Sequence, residues 1–428
     1  MKLKMDGRKI KCIIPALFLI CIGAANLFAQ ESRVRPRESE AALEAFSKAE
    51  LLTEEDFEYD LTRDGNGIRL TKYLGNSTCI RIPDEIEEMP VTELAGNLLE
   101  SNNYNELEVI VFPDSVETIC ALNNAKKLKF VRLPGNLKMI PSYEFAGCYS
   151  LEKIYIPDSV KVIESNAFSN SGLKEIDFPD DAGLKSSVCS GCNQLQKVHL
   201  PSNLDTIPYW MFSDCESLVS IEIPETVTSI GYSSFRNCTS LTSITLPQNL
   251  KTIESYAFNG CESISEIIIP DGVEELGYSF IGGTSVKNLY VPDSVIKFGY
   301  EDGWEPGDCR YNERGNENGH IIIGKSEYES LRIPDWITEI KNIPAGTKII
   351  NFPMSLKKCY LSNSSSLEYL EDIIIPDSLR SVKFSDGWYD SAADFSSAKL
   401  PIKTQKRLRE LGYTENFGGT RPAKKTGQ

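Results

Sequence analysis

A proline recurs along this chain every 22 or 23 residues, and that recurrence decides what the chain can fold into. Pro134, Pro157, Pro179, Pro201, Pro224, Pro247, Pro270 and Pro292 each close the same apolar phrase. Three units written out are LEKIYIPDSVKVIESNAFSNS, LVSIEIPETVTSIGYSSFRNC and LTSITLPQNLKTIESYAFNGC. Their shared form is L-x-x-I-x-I-P-x-x-V-x-x-I-x-x-x-A-F-x-x-C. Thirteen units close on a proline from Pro83 to Pro376, and Pro401 is a candidate end for a fourteenth. At 428 residues, length alone would predict two or three globular domains. A chain that repeats at this period grows in one dimension instead, as a solenoid.

The residue types fit that outcome. In L-x-x-I-x-I the last two apolar residues flank a variable one, which is strand periodicity. Proline then ends the strand, where its missing N–H does least harm. The second apolar pair, Val227 and Ile230 in one unit, is spaced by three and predicts a tight turn or a single 3₁₀ turn against the core. The aromatic position (Phe145, Phe168, Phe212, Phe235, Phe258, Phe280) supplies the largest buried area of each unit. No unit buries these faces alone, whereas stacked neighbours do. The expected fold class is a repeat solenoid, mainly β, with short turns or 3₁₀ segments.

This unit resembles the BspA-like, or treponemal-type, leucine-rich repeat, over about 57 to 416. The stretch FEYDLTRDGNGIRLTKYLGNSTCIRIPDEI is similar to the family's opening unit, and KTQKRLRELGYTENF to a closing helix of some members. The resemblance implies a curved solenoid whose parallel sheet lines the inner face. It also implies a bacterial surface or secreted protein, some relatives being adhesins for host proteins or other cells. Three places depart from the pattern. Pro83 to Pro113 is too long for one unit, Pro292 to Pro334 is nearly two units with no clear repeat, and the units after Pro334 are degenerate. The expected organisation is a signal peptide at 1–29 and a polar helix or linker at 30–56. The main solenoid follows at 57–298, then an irregular insertion at 299–330 and degenerate repeats at 331–400. A cap helix at 401–416 and a flexible tail at 417–428 end the chain.

The leader reading rests on Lys2, Lys4, Arg8, Lys9 and Lys11, followed by an apolar run from Ile13 to Ile22 and small residues to Ala29. That run is about half a membrane span, so no transmembrane segment is expected. Cleavage after Ala25 or Ala29 fits equally, and Cys21 keeps a lipoprotein alternative open. The formal net charge is −16, and removing the basic leader leaves a more acidic chain. Such a chain has no general attraction for nucleic acid or an anionic membrane surface.

Little in the sequence points to catalysis. Cys192, Cys215, Cys238 and Cys261 recur at one repeat position, with Cys148 two units earlier. A ladder locked to the repeat reads first as packing by a small apolar residue. Rungs of a stacked sheet lie roughly 5 Å apart, so disulfides in an oxidising compartment are the alternative, ahead of metal binding. Cys189 and Cys192 form a C-x-x-C, but Cys189 falls on the phenylalanine position, so the repeat explains both. His199 and His320 are the two histidines, and neither has the neighbours that nucleophilic catalysis needs. No phosphate-binding glycine loop occurs. The acidic, glycine-rich stretch from Glu301 to Glu317 lacks any calcium-loop spacing. No enzyme, cofactor or metal is expected.

Function is therefore expected on the variable positions. The residue between the two apolar strand positions reads Arg132, Tyr155, Asp177, His199, Glu222, Thr245, Ile268 and Tyr290 down successive units. A neighbouring column reads Lys153, Glu175, Lys197, Ser220, Ser243, Glu266 and Asn288. Solenoids build extended binding surfaces from such residues, and exposed Tyr155, Ile268 and Tyr290 suit partner contact. Exposed Tyr and Ile are also simply good strand formers, and Lys153 opposite Glu175 reads equally as a paired surface. The insertion offers a second contact loop through Trp304, Arg310 and Tyr311. The leading expectation is a secreted or cell-surface, adhesin-like binding protein with an extracellular protein or glycan partner. An envelope scaffold without a specific ligand is the alternative. An enzyme with its site in the irregular 299–333 region comes third.

Overall fold

The computed structural model describes residues 38–99 and 104–298 apart from 278, 287, 293 and 296. Beyond these it describes 320–321, 330–332, 339–341, 349–352, 356, 358–360, 370–377, 379, 382–384, 395 and 400–413. The leader at 1–29, the loop residues Trp304, Arg310 and Tyr311, and the tail at 417–428 lie outside the described residues.

A unit contributes up to two short strands, which stack on their counterparts in neighbouring units; residues 151–157 and 264–270 make no strand pairing. The first ladder comes from the L-x-x-I-x-I phrase. Glu50–Leu51, Cys79–Arg81, Val109–Val111 and Phe130–Arg132 pair in parallel in that order. Glu175–Asp177 then pairs with Lys197–His199, and Glu222 bridges Thr245. Farther on, Asn288–Tyr290, Ser330–Arg332, Ile349–Asn351 and Asp372–Ile374 form one parallel sheet. The long gap from Pro292 to Pro334 is thus spanned by direct pairing of Leu289 with Leu331. The degenerate units beyond it keep the same register.

The second ladder corrects an expectation. Val227 does end a tight turn, its N–H donating to the Pro224 carbonyl at 3.0 Å. Ile230, however, lies in a strand, Ser229–Ile230, stacked between Thr206–Ile207 and Thr252–Ile253. The physical reason is the constant unit length. It brings Gly231 N–H within 2.9 Å of the Ile207 carbonyl and Glu254 N–H within 2.9 Å of the Ile230 carbonyl. Pairing between units satisfies these groups better than a local turn would.

A third column of backbone bonds runs through the A-F-x-x-C turn. The N–H groups of Trp210, Phe212 and Asp214 donate to Tyr232, Ser234 and Arg236 of the next unit, at 2.9, 2.8 and 2.7 Å. The residue just before each cysteine position has φ between 54° and 77°: Gly147, Asn170, Gly191, Asp214, Asn237, Gly260 and Gly283. Only Gly, Asn and Asp occupy it, the types that tolerate a left-handed backbone.

Inside, the apolar positions form one continuous core. Phe145 stacks on Phe168, and Phe212, Phe235 and Phe258 stack in series with ring centroids 5.3–5.5 Å apart. The core is closed at its far end by helix α2, Ile402–Glu410, which buries Leu408. Thr404 donates to Asp372 at 2.5 Å, and the Tyr413 hydroxyl accepts from the Phe395 N–H at 2.9 Å.

At the near end stands helix α1, Glu40–Lys48. Ser39 caps it by accepting the Ala42 N–H at 3.2 Å. Glu40 in its first turn and Lys48 in its last complement the helix dipole. The chain then forms the strand Phe57–Leu61, antiparallel to Ile68–Tyr73, which runs parallel to Met89–Leu94. This local sheet accounts for the irregular early units.

Candidate binding surface

The side chains of the first ladder alternate between core and exterior. Ile154, Ile176, Val198, Ile221, Ile244 and Ile267 point inward and are buried. The variable residues between them face outward, and the structure divides them into two groups.

The first group lies at the helix α1 end. Ala42 and Phe46 of α1 pack on Val109 and Val111, which are buried although they occupy outward positions. Arg81 also donates to the Phe46 carbonyl at 2.5 Å. The helix thus roofs the outward face of the strands Cys79–Arg81, Val109–Val111 and Phe130–Arg132. Arg132 is committed to the frame: its guanidinium pairs with Asp114 at 3.0 Å and donates to the Phe112 carbonyl at 3.3 Å. Burial tends to raise the Asp114 carboxyl, but the Gly135 N–H and Arg132 hold it below the usual carboxylate range.

The second group begins where the helix stops. Between α1 and the next strands opens a cleft of about 700 Å³, lined by Phe46, Lys129, Tyr149, Lys153, Tyr155 and Glu175 among others. Tyr155 is half-buried in it. Lys153 and Glu175 form an ion pair, the paired surface expected from their columns. Past the cleft the face is open. Asp177 stands beside His199 in register, and His199, Glu222 and Thr245 are exposed. Ile268 is 74% exposed, the most exposed large apolar side chain described. Tyr290 lies in the strand Asn288–Tyr290, paired with Arg332. Arg132 therefore separates from the other proposed contact residues, while Tyr155 to Ile268 share one face.

Sequence reasoning missed the roof, and the signal for it is present. In VIVF at 109–112 both outward positions, Val109 and Val111, are apolar, whereas the units from Lys153 to Ile268 carry a polar residue at one or both. A strand buried on both faces reads that way.

The cysteine ladder is more specific than small-residue packing. Cys148, Cys189, Cys192, Cys215, Cys238 and Cys261 are free thiols with no exposed surface. The Cys238 and Cys261 thiols donate to the Phe212 and Phe235 carbonyls at 3.1 and 3.0 Å. Cys192 does the same toward Phe168 at 3.1 Å, and Cys148 toward Leu122 at 3.1 Å. Cys148, Cys192, Cys238 and Cys261 each add a second donor to a carbonyl of an earlier unit that already accepts a backbone N–H. Burial pushes the Cys148 thiol up to about 12 and those of Cys189, Cys215 and Cys238 well above the ordinary range. These groups stay protonated and unreactive. Among the described residues, no group of three His, Cys, Asp or Glu side chains is placed to hold a metal ion. No described helix is long and apolar enough to cross a membrane.

Comparison with known proteins agrees with this geometry. The family model for the BspA type leucine rich repeat region matches residues 101–185 and 182–301, in six copies. No curated protein matches the chain. Among solved structures, a leucine-rich repeat protein from Bacteroides ovatus is 21% identical. The match covers 86% of this chain and all of that one, at a TM-score of 0.63, which shows a shared fold. A leucine rich cell surface protein from Faecalibacterium prausnitzii is also 21% identical, covering 80% of this chain and 97% of its own, with a TM-score of 0.48. The T. pallidum leucine rich repeat protein is 26% identical over 50% of this chain and 91% of its own, with a TM-score of 0.39. Residues 101–301 of this chain are a BspA-type leucine-rich-repeat region.

Proposed function

We propose that the chain is a secreted or surface-displayed binding protein that holds a protein or glycan of a host or neighbouring cell on its open strand face. One observation carries the reading. From Ile154 to Ile267 the inward position repeats Ile and Val, while the outward position that follows it, Tyr155 to Ile268, never repeats a residue type. A frame that conserves its core phrase and varies only its solvent side is suited to recognition. The cleft beside α1 adds a concave anchor point next to that face. The basic leader and apolar run at 1–29 support export, and the family resemblance supports an adhesin-like role.

The test is capture of partners from extracellular-matrix and cell-surface extracts by the immobilised chain, followed by titration. Saturable binding to one component is expected, and it should weaken by about tenfold or more when Tyr155 and Ile268 are both replaced by Ala. A chain that captures nothing saturably, or whose double variant binds unchanged, would defeat the proposal.

A further inference from the structure

Tyr209, Trp210, Tyr232 and Tyr256 lie away from the strand face, at the turn that follows the second ladder. The two preceding units carry Ser165, Asn166, Ser186 and Ser187 at the equivalent positions, and Tyr143 and Tyr278 stand at them farther along the chain in each direction. Ser and Asn fill these positions as well as aromatics do, so stacking of the units does not require the rings. Trp210 and Tyr209 are 42% and 38% exposed. The Trp210 ring meets Tyr232 edge-on with centroids 5.3 Å apart, and Tyr232 meets Tyr256 likewise at 5.7 Å. Trp210 and Tyr256 hold φ of 51° and 60°, the left-handed turn that the units make at this position, as at Tyr143, Asn166, Ser187, Ser233 and Ser279. What sets the row apart is that its rings meet one another across three successive units while Trp210 and Tyr209 stay exposed.

The surroundings are built around the row. A Cβ at Gly231 would stand 2.6 Å from the Tyr209 ring and 2.7 Å from the Ile207 carbonyl, so only glycine lets the ring lie across that unit. On the far side the Glu254 carboxylate accepts from the Tyr209 hydroxyl and the Tyr232 N–H, and burial raises its pKa. Tyr209 and Glu254 line an open cleft of about 800 Å³ together with Asp181, Asn203, Asp205 and Ser229.

We propose that this aromatic edge and its cleft form a second binding site, for a neutral glycan chain. A sugar ring offers a polarised C–H face and a rim of hydroxyls. The electron-rich faces of Tyr and Trp suit the first. Carboxylate, amide and hydroxyl side chains that can accept and donate suit the second. The row follows the stacking direction of the units, so a linear chain can lie along it. Asp205 and Glu254 outnumber Lys185 in the cleft, where Asp181 is paired with Lys161, and with the −16 net charge they disfavour anionic glycans and nucleic acid.

The experiment is titration of the full chain with cellohexaose, laminarihexaose and maltohexaose, followed by tryptophan fluorescence and calorimetry. Saturable binding of at least one is expected. Trp210→Ala and Tyr209→Ala should each weaken it by about tenfold or more, and Trp210→Phe should largely retain it. The strand-face double variant Tyr155→Ala/Ile268→Ala should bind the same sugar normally, which separates this site from the proposed strand-face function. Melting temperatures identify any variant that has lost its fold, in which case the other aromatic variant carries the comparison. The proposal is overturned if none of the three sugars binds at millimolar concentration, if folded Trp210→Ala and Tyr209→Ala bind unchanged, or if dextran sulfate binds as tightly.

Discussion

The strands around Val109 and those from Tyr155 to Ile268 are built on one frame but treated oppositely on their outer side. At the near end the outward column reads Arg81, Val111 and Arg132, and its neighbour reads Cys79, Val109 and Phe130. Helix α1 covers these strands, buries the two valines and leaves Arg132 tied to Asp114. From Lys153 to Ile268 the same two columns become polar and mixed apart from Ile268, half-buried as far as Asp177 and exposed from Lys197 on. The inward residues barely change across the boundary. A repeat core therefore says that units stack, and the outward residues say what each unit meets.

The largest expected effect comes from breaking the shared frame. Phe235→Ala removes the middle ring of the Phe212–Phe235–Phe258 stack. It should cost about 3–5 kcal/mol, read by chemical denaturation. Next comes a paired test of the boundary. Val111→Ser places a hydroxyl under α1 and should cost about 2–3 kcal/mol. Ile268→Ser, on the open face, should change stability by no more than about 0.5 kcal/mol. Equal losses in the two would erase the distinction between the roofed and open strands.

A smaller effect sits near the boundary. Glu144 occupies the position that is Ala167 or Ala257 elsewhere, is buried, and accepts the Leu122 N–H at 3.1 Å. Burial pushes its carboxyl up to about 8. The folded state therefore holds a proton that the unfolded chain releases at the ordinary carboxylate pKa. Stability should fall as pH rises from about 4.5 to about 8, and be level below that window. Glu144→Gln keeps the acceptor and removes the titration. It should raise stability by about 2 kcal/mol at pH 8 and hardly at all at pH 4. A wild-type stability that stays flat across the window would contradict this.

The smallest effect belongs to the thiol ladder. Cys238→Ala removes the second donor to the Phe212 carbonyl, which keeps the Cys215 N–H, and should cost about 1 kcal/mol. In the folded protein the ladder thiols should resist alkylation that proceeds readily in denaturant, as mass spectrometry would read.

Much of this was legible in the residues alone. The proline spacing carried the solenoid, the I-x-I phrase carried the first ladder, and the phenylalanine position carried the core. The closing helix was expected at 401–416 and spans Ile402–Glu410. The second ladder was not legible, because Val227 and Ile230 are three apart and a turn explains that spacing as well as a strand does. Its hydrogen bonds are made between units, and no single unit reveals them. The left-handed position before each cysteine was readable as Gly, Asn or Asp, yet it lies inside x-x of the shared form. On the surface, the outward column was read as uniform. Arg132 differs from the rest of the column in its ion pair with Asp114, which sits a unit earlier in the chain. The roof over Val109 and Val111 is signalled by apolar residues at both outward positions of that unit, a pairing that the open units from Lys153 to Ile268 lack.

The central claim is that the open face beyond the α1 roof, and not the roofed end, meets the partner. It is tested most directly by amide hydrogen exchange of the full chain with and without its captured partner. The account predicts new protection in the strands Glu175–Asp177 and Lys197–His199 and around Glu222, Thr245 and Ile268, with α1 and Val109–Val111 unchanged. Protection confined to α1 and the strands beneath it, with the open face exchanging as before, would contradict it.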